Sequence, residues 1–330
     1  MAKKFRILSL DGGGLRGIIP VLVIKEIERR TGKPITESFD MIAGTSTGAL
    51  IACGLAVSDD GIKPKYTIND IEKIYTERGN DIFPNKNWLK SFISGITSLK
   101  KPKYSANGLQ KVLEELLGEK RISDCVKPIF VTTFDLYNNE ALLFKYRQAI
   151  TEPARNARLL DICRATSAAP TYLPAYKFVY NEKQRICVDG GIYMNNPAMG
   201  ALVEITKFHK DKPYNIESLY LDDITILSIG TGHYSSEIAR EKVESFGLLD
   251  WATNITDVMM QAENQTTTYQ AEEFTSQGNF LRINIDIDDP KFADMADSSR
   301  ETREYLIRQV NSQIIGNSVL MNQLDSLLSS

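Results

Sequence analysis

Residues 41–58, Met-Ile-Ala-Gly-Thr-Ser-Thr-Gly-Ala-Leu-Ile-Ala-Cys-Gly-Leu-Ala-Val-Ser, run for 18 positions without a charge. That is about the minimum length for a membrane-spanning helix. The middle of the stretch argues otherwise, because Gly44, Thr45, Ser46, Thr47 and Gly48 sit where a span needs continuous apolar side chains. It reads instead as a buried strand (39–43), a tight turn, and a buried apolar helix (48–57). The segments around it repeat that unit. Residues 5–10 read as a short buried strand closed by Asp11-Gly12-Gly13-Gly14, with a helix following to about Arg30. Pro20 is tolerated in the first turn of that helix and Gly32 stops it. Leu109, Val112, Leu113, Leu116 and Leu117 mark an amphipathic helix over 105–117, ended by Gly118. Strands are expected at 129–134, 142–146, 185–188, 224–229 and 280–285, and residues 300–328 return to a helical pattern. Such alternation points to an α/β fold with a mainly parallel, buried sheet. No internal repeat and no Pro-, Gly- or Ser-rich linker divides the chain, so a single domain over residues 1–330 is expected.

Composition narrows the function. The chain has 330 residues, and 39 basic against 42 acidic residues leave a net charge of −3. This balance excludes an electrostatic nucleic-acid binder, which carries a basic surplus. With 42% apolar residues the chain is also not disordered. There are only two histidines, His209 and His233, so a His-rich metal site is excluded and any His-dependent catalysis must use one of these. The N-terminus lacks the apolar core of about 7–15 residues that marks a secretory signal. Cys53, Cys125, Cys163 and Cys187 show no C-x-x-C spacing and read as buried free thiols. A cytoplasmic, reducing location is therefore expected.

Three glycine-rich motifs could carry chemistry. In Asp11-Gly12-Gly13-Gly14-Leu15-Arg16-Gly17, consecutive glycines let backbone N–H groups converge on an anion at a helix start. Gly12-x-Gly14-x-x-Gly17 formally matches a dinucleotide fingerprint, but the acidic residue that should close the second strand is missing, since Asp40 sits at its wrong end. The other reading is an oxyanion hole. Gly44-Thr45-Ser46-Thr47-Gly48 is a G-x-S-x-G at a strand-to-helix junction, the context of a nucleophile elbow. The competing reading has Ser46 only capping the helix. Val188-Asp189-Gly190-Gly191 follows a short apolar strand and is, on composition, an ordinary turn. Its interest is that a serine hydroxyl needs a base. The order Ser46, Asp189, His233 is that of an α/β-hydrolase triad, although the elbow comes early for such a fold. His209, in a charged helix end, reads as a surface residue. Alternatively Asp189 activates Ser46 directly.

Taken together, the motifs at 11–17, 44–48 and 189–191 look like those of the patatin-like phospholipases. Each is weak alone, but this order and spacing are specific. The resemblance also covers Asp161-Ile162-Cys163-Arg164-Ala165-Thr166-Ser167-Ala168-Ala169-Pro170 and Leu227-Ser228-Ile229-Gly230-Thr231-Gly232, and similarity to plant patatins continues to about residue 310. It implies a three-layer α/β/α patatin-like fold with a mainly parallel central sheet. It also implies a lipid acyl hydrolase with a Ser–Asp dyad and an acyl-enzyme intermediate. Carried over by motif, Ser46 is the nucleophile, Asp189 the base, and Gly12, Gly13 and Gly14 the oxyanion hole, with Arg16 in support. The implied substrate is a phospholipid or other acyl ester, with no metal or organic cofactor and no nucleic acid polymer as partner. The Ser46-Asp189-His233 triad and a nucleotide-binding module on the Gly12–Gly17 loop remain as alternatives. Some bacterial relatives act as membrane-degrading effectors switched on by a cyclic nucleotide; the sequence shows no recognisable pocket for one.

A lipid substrate calls for an interfacial surface. Between residues 84 and 104, Lys86, Lys90, Lys100, Lys101 and Lys103 stand without acids, and Trp88, Phe92 and Ile96 recur every four residues. A basic amphipathic helix of this kind suits peripheral contact with an anionic bilayer; a surface helix packed on the core fits the same pattern.

Overall fold

The computed structural model describes residues 4–83, 102–234 and 244–329. Trp88, Phe92 and Ile96 lie outside these described residues, as does most of the expected interfacial segment.

The first strand, β1 (Phe5–Leu10), leads through the glycine loop into α1 (Ile18–Thr31), which Gly32 ends in a left-handed conformation at φ 68°. β2 (Met41–Thr45) and α2 (Thr47–Ala56) form the uncharged unit, and α3 (Ile68–Glu77) and α4 (Asn107–Leu117) follow. Next come β3 (Ile129–Asp135), β4 (Glu140–Lys145), α5 (Leu159–Thr166), β5 (Tyr176–Tyr180) and β6 (Lys183–Asp189). The described chain closes with α6 (Ala198–Phe208), β7 (Ile224–Ile229), α7 (Leu248–Phe274), β8 (Phe280–Ile283), α8 (Arg300–Val310) and α9 (Ser318–Ser329).

The eight strands among the described residues join one sheet in the order β5-β6-β3-β2-β1-β7-β8, with β4 also paired to β3. The run β3-β2-β1-β7-β8 is parallel, whereas β4, β5 and β6 pair antiparallel. Alternate residues of the central strands enter opposite layers, as the period of two in a strand requires. Leu8, Leu10 and Ile42 pack with α1, α8 and α9, while Phe5, Ile7, Met41 and Ala43 pack with α6 on the other face. Because β1 is flanked by β2 on one side and β7 on the other, the strand order reverses there. In open α/β sheets ligands bind beyond the strand C-termini at such a reversal. The glycine loop and Ser46 both lie at that place. Among the described residues no helix is long and apolar enough to cross a membrane.

Candidate active site

Ser46 occupies the turn between β2 and α2 with φ 53° and ψ −121°, a conformation that costs a non-glycine residue energy and is kept where the surroundings enforce it. Those surroundings are specific. The Ser46 N–H donates to Thr166 Oγ1 at 2.8 Å, and its carbonyl accepts from Ala49 and Leu50 N–H. The flanking glycines are required by contact: a Cβ on Gly48 would lie 2.2 Å from the Leu10 carbonyl oxygen, and one on Gly44 would lie 2.5 Å from the Gly48 and Ala49 backbone. The Ser46 side chain makes no capping bond to its helix, so its hydroxyl is not spent as an N-cap.

The glycine loop packs tightly against three other segments. A Cβ would lie 2.4 Å from Asn195 Oδ1 at Gly12, 2.1 Å from Thr231 Oγ1 at Gly13 and 2.5 Å from the Met295 carbonyl oxygen at Gly14, where φ is also +58°. Of the three amides expected to face an oxyanion, that of Gly12 is already spent on the Asn195 carbonyl oxygen at 3.2 Å. The amides of Gly13 and Gly14 have no acceptor among the described residues. At the loop's start Asp11, 1% exposed, forms a two-pronged ion pair with Arg282 of β8. The Arg16 Nη1 reaches the Ala293 carbonyl oxygen at 3.4 Å, and burial pushes its pKa down against the pull of Asp257.

Asp189 ends β6 opposite Thr133 of β3. Burial pushes its carboxyl up to about 6, against the downward pull of hydrogen bonds from the Ser46 hydroxyl and the Gly191 N–H, the latter 2.8 Å from Oδ1. Ser46 and Asp189 are thus brought together. His233 is not among the residues lining the recess of Ser46 and Asp189: its backbone bridges Ile285 and Ile287, and it lines a neighbouring recess together with Gly12. His209 caps the end of α6, with Nδ1 3.0 Å from the Thr206 carbonyl oxygen.

Ser46, Asp189, Gly13 and Gly14 line a recess whose walls are apolar, with Leu50, Ile74, Ile82, Leu109, Leu173 and Met295 among them. A separate polar recess, lined in part by Arg16, Asn195, Gln261 and Asn284, meets it along Tyr172, Met260 and Met295. Several supports were not legible in the sequence. Thr166 holds the Ser46 amide from α5, Arg282 holds Asp11 from a strand far along the chain, and Asn195 and Asn196 join loops that only the fold brings together. Asn196 Oδ1 accepts from Ser9 and Ser228 hydroxyls, and its N–H donates to Glu263 at 2.9 Å. Thr166 and Ser228 lie in stretches that the family resemblance covers, and Arg282 lies in an expected strand.

Architecture and site define a class: an α/β protein with a serine on a strained strand-to-helix elbow, beside a buried carboxylate, opening on an apolar recess. The chain belongs to the patatin-like phospholipase family, whose model matches residues 8–202. It is 32% identical over 346 residues to Patatin-like protein 4 of Arabidopsis thaliana, covering 97% of this chain and 85% of that one. It is also 32% identical over 331 residues to Patatin-like protein 1 of Oryza sativa subsp. indica, covering 92% and 79%. Among solved structures it is similar to VipD from Legionella pneumophila at 14% identity and a TM-score of 0.43, over 94% of this chain and 67% of that one. Family membership implies lipid acyl hydrolase activity.

Proposed function

We propose that the protein hydrolyses fatty acyl esters of phospholipids or related lipids through a Ser46–Asp189 dyad. The observation that carries this reading is that Ser46 and the buried Asp189 line one apolar recess, with the Ser46 hydroxyl near enough to pull the carboxyl's pKa down against burial. In the first half-reaction Asp189 takes the hydroxyl proton as Ser46 Oγ attacks the ester carbonyl. The oxyanion is received by the amides of Gly13 and Gly14, with Gly12 holding the loop in place. Losing one donor of such a hole costs about 10²–10³ in rate. Collapse expels the alcohol with the proton from Asp189 and leaves an acyl-serine. Water then releases the fatty acid with Asp189 again as base. The apolar recess suits the acyl chain, since only its ester end needs polar partners. Four buried free thiols agree with a reducing, cytoplasmic setting.

The test is hydrolysis of a chromogenic acyl ester and of a phospholipid in mixed micelles. Ser46→Ala and Asp189→Asn should each lose activity by about 10³-fold or more, whereas His233→Ala keeps most of it. A folded but inactive His233→Ala protein would replace the dyad with the triad. A nucleotide-binding module finds little support, because no acidic residue closes the second strand where a ribose would need one; Asp40 precedes that strand.

A further inference from the structure

Asn195 is 1% exposed and stands where the three candidate segments meet. Its carboxamide is oriented by its donors: Nδ2 gives hydrogen bonds to the Gly12 carbonyl oxygen at 3.4 Å and to Asn264 Oδ1 at 3.1 Å. With both acceptors on the nitrogen side, Oδ1 must face the other way, and there it meets no donor although it is buried. A buried acceptor left without a donor is destabilising and calls for a reason. Its surroundings supply one. A Cβ on Gly191 would lie 3.0 Å from Asn195 Oδ1, 3.2 Å from Asp189 Oδ1 and 3.6 Å from Met260 Cε. The two oxygens therefore flank one small space, which exists because residue 191 has no side chain. On the other side, a Cβ on Gly12 would lie 2.4 Å from Asn195 Oδ1 and 3.2 Å from Ser46 Cβ. Asp189 and Gly191 line the recess that holds Ser46.

We propose that Asn195 is a further catalytic residue, whose carboxamide oxygen and the Asp189 carboxylate together hold the water that hydrolyses the acyl-enzyme. This inference rests on the acyl-serine reading above. Two acceptors facing one space match the two O–H bonds of water. One proton passes to Asp189 as the water oxygen bonds the acyl carbon. The adduct then breaks its bond to Ser46 Oγ, which recovers that proton from Asp189. The second O–H stays donated to Asn195 Oδ1 during attack and leaves within the product acid. The attachment of Nδ2 to Gly12 keeps the acceptor in register with the loop that receives the oxyanion.

An alcohol gives a sharp test, because methanol has one O–H and needs only Asp189. With a p-nitrophenyl ester, the burst reports acylation, the steady state reports deacylation, and added methanol divides the product between methyl ester and free acid. Asn195→Leu should keep its burst rate within about threefold, lose hydrolytic turnover by about tenfold, and raise the ester-to-acid ratio by about tenfold, the effect of one hydrogen bond. Asn195→Asp, which retains an oxygen acceptor, should hold the ratio near the wild-type value. If the leucine does not fold, the smaller Asn195→Ala must raise the ratio in the same direction. Burst and hydrolysis slowing together at an unchanged ratio would reduce Asn195 to a structural brace and overturn the proposal. The underlying reading fails separately, if Ser46→Ala still turns over or the wild type forms no acyl-enzyme.

Discussion

At the residue scale, the proposed dyad places a charge where the fold would rather have none. Asp189 is 6% exposed, and burial holds its folded pKa near 6, above the ordinary 3.8. A group whose folded pKa is raised binds its proton more tightly when folded, so the ionised form costs stability above that pKa. The shift corresponds to roughly 1–3 kcal/mol at neutral pH. Asp189→Asn removes the charge and keeps the shape. It should therefore melt a few degrees higher than wild type at pH 8 while losing activity, and the gain should vanish near pH 4. Equal melting temperatures at pH 8 would show that the carboxylate is better solvated than its burial implies. Ser46 and Asp189 stand out as candidates in the sequence because their motifs carry local backbone demands: flanking glycines at an elbow, a turn after a strand. Asn195 does not. Its meaning comes from the side chain of Asn264 and the backbone of Gly12, which are distant in sequence, and an asparagine before a proline-containing helix start is locally unremarkable.

At the scale of elements, the same division holds. Buried parallel strands announce themselves as apolar runs, so β1 and β7 fall at the expected positions. β2 begins at Met41 rather than 39, because a short helical turn, Ile35–Ser38, places Phe39 as its end. The helical pattern over 300–328 is two helices, α8 and α9, parted by a wider turn at Asn311–Ile315. β5 went unassigned although Tyr176, Phe178 and Tyr180 are its inward positions, because Lys177 and an exposed Val179 dilute its apolar run. α7 went unassigned for a different reason. Trp251, Ile255, Val258 and Met259 are exposed, so its apolar residues do not trace a core-facing stripe. The elbow element carries its own prediction. In α2, Gly48 passes so close to Leu10 that Gly48→Ala must push the helix from β1, carrying Ser46 with it. A cost of roughly 3 kcal/mol or more is expected from such an overpacked contact with backbone. Gly32→Ala should cost about 1 kcal/mol, from its left-handed φ alone, since nothing lies within 4 Å of the added methyl. Urea melts of the two variants compare these directly, and equal losses would mean that α2 can shift without cost.

For the whole molecule, the buried carboxylates set stability and activity against each other along the pH scale. Glu263 of α7 accepts from the Asn196 N–H and the Thr267 hydroxyl, yet burial still pushes it up to about 7. Together with Asp189 it makes the folded state bind more protons than the unfolded chain between about pH 4 and 7, so stability falls as pH rises through that window. Other carboxylates act oppositely. The backbone N–H groups of Ile62 and Lys63 hold Asp60 down to about 2, and hydrogen bonding from Arg29 lowers Glu26; these contributions are lost only as pH falls below about 4. The folded protein should therefore be most heat-resistant near pH 4–5. With Asp189 as the proposed base, hydrolysis should rise with a one-proton slope through about pH 6 and level off above it. The stability maximum then lies on the acid side of the activity plateau. Calorimetric melts from pH 4 to 8, beside kcat/KM over the same range, test the separation. Combining Glu263→Gln with Asp189→Asn should flatten the decline in melting temperature above pH 5. A wild-type melting temperature that climbs steadily to pH 8 would mean that the two buried carboxylates do not hold raised pKa values, because the low-lying carboxylates are already ionised in both states above about pH 5. In that case the charge at the dyad would be sustained by the whole field of the protein rather than tolerated against it.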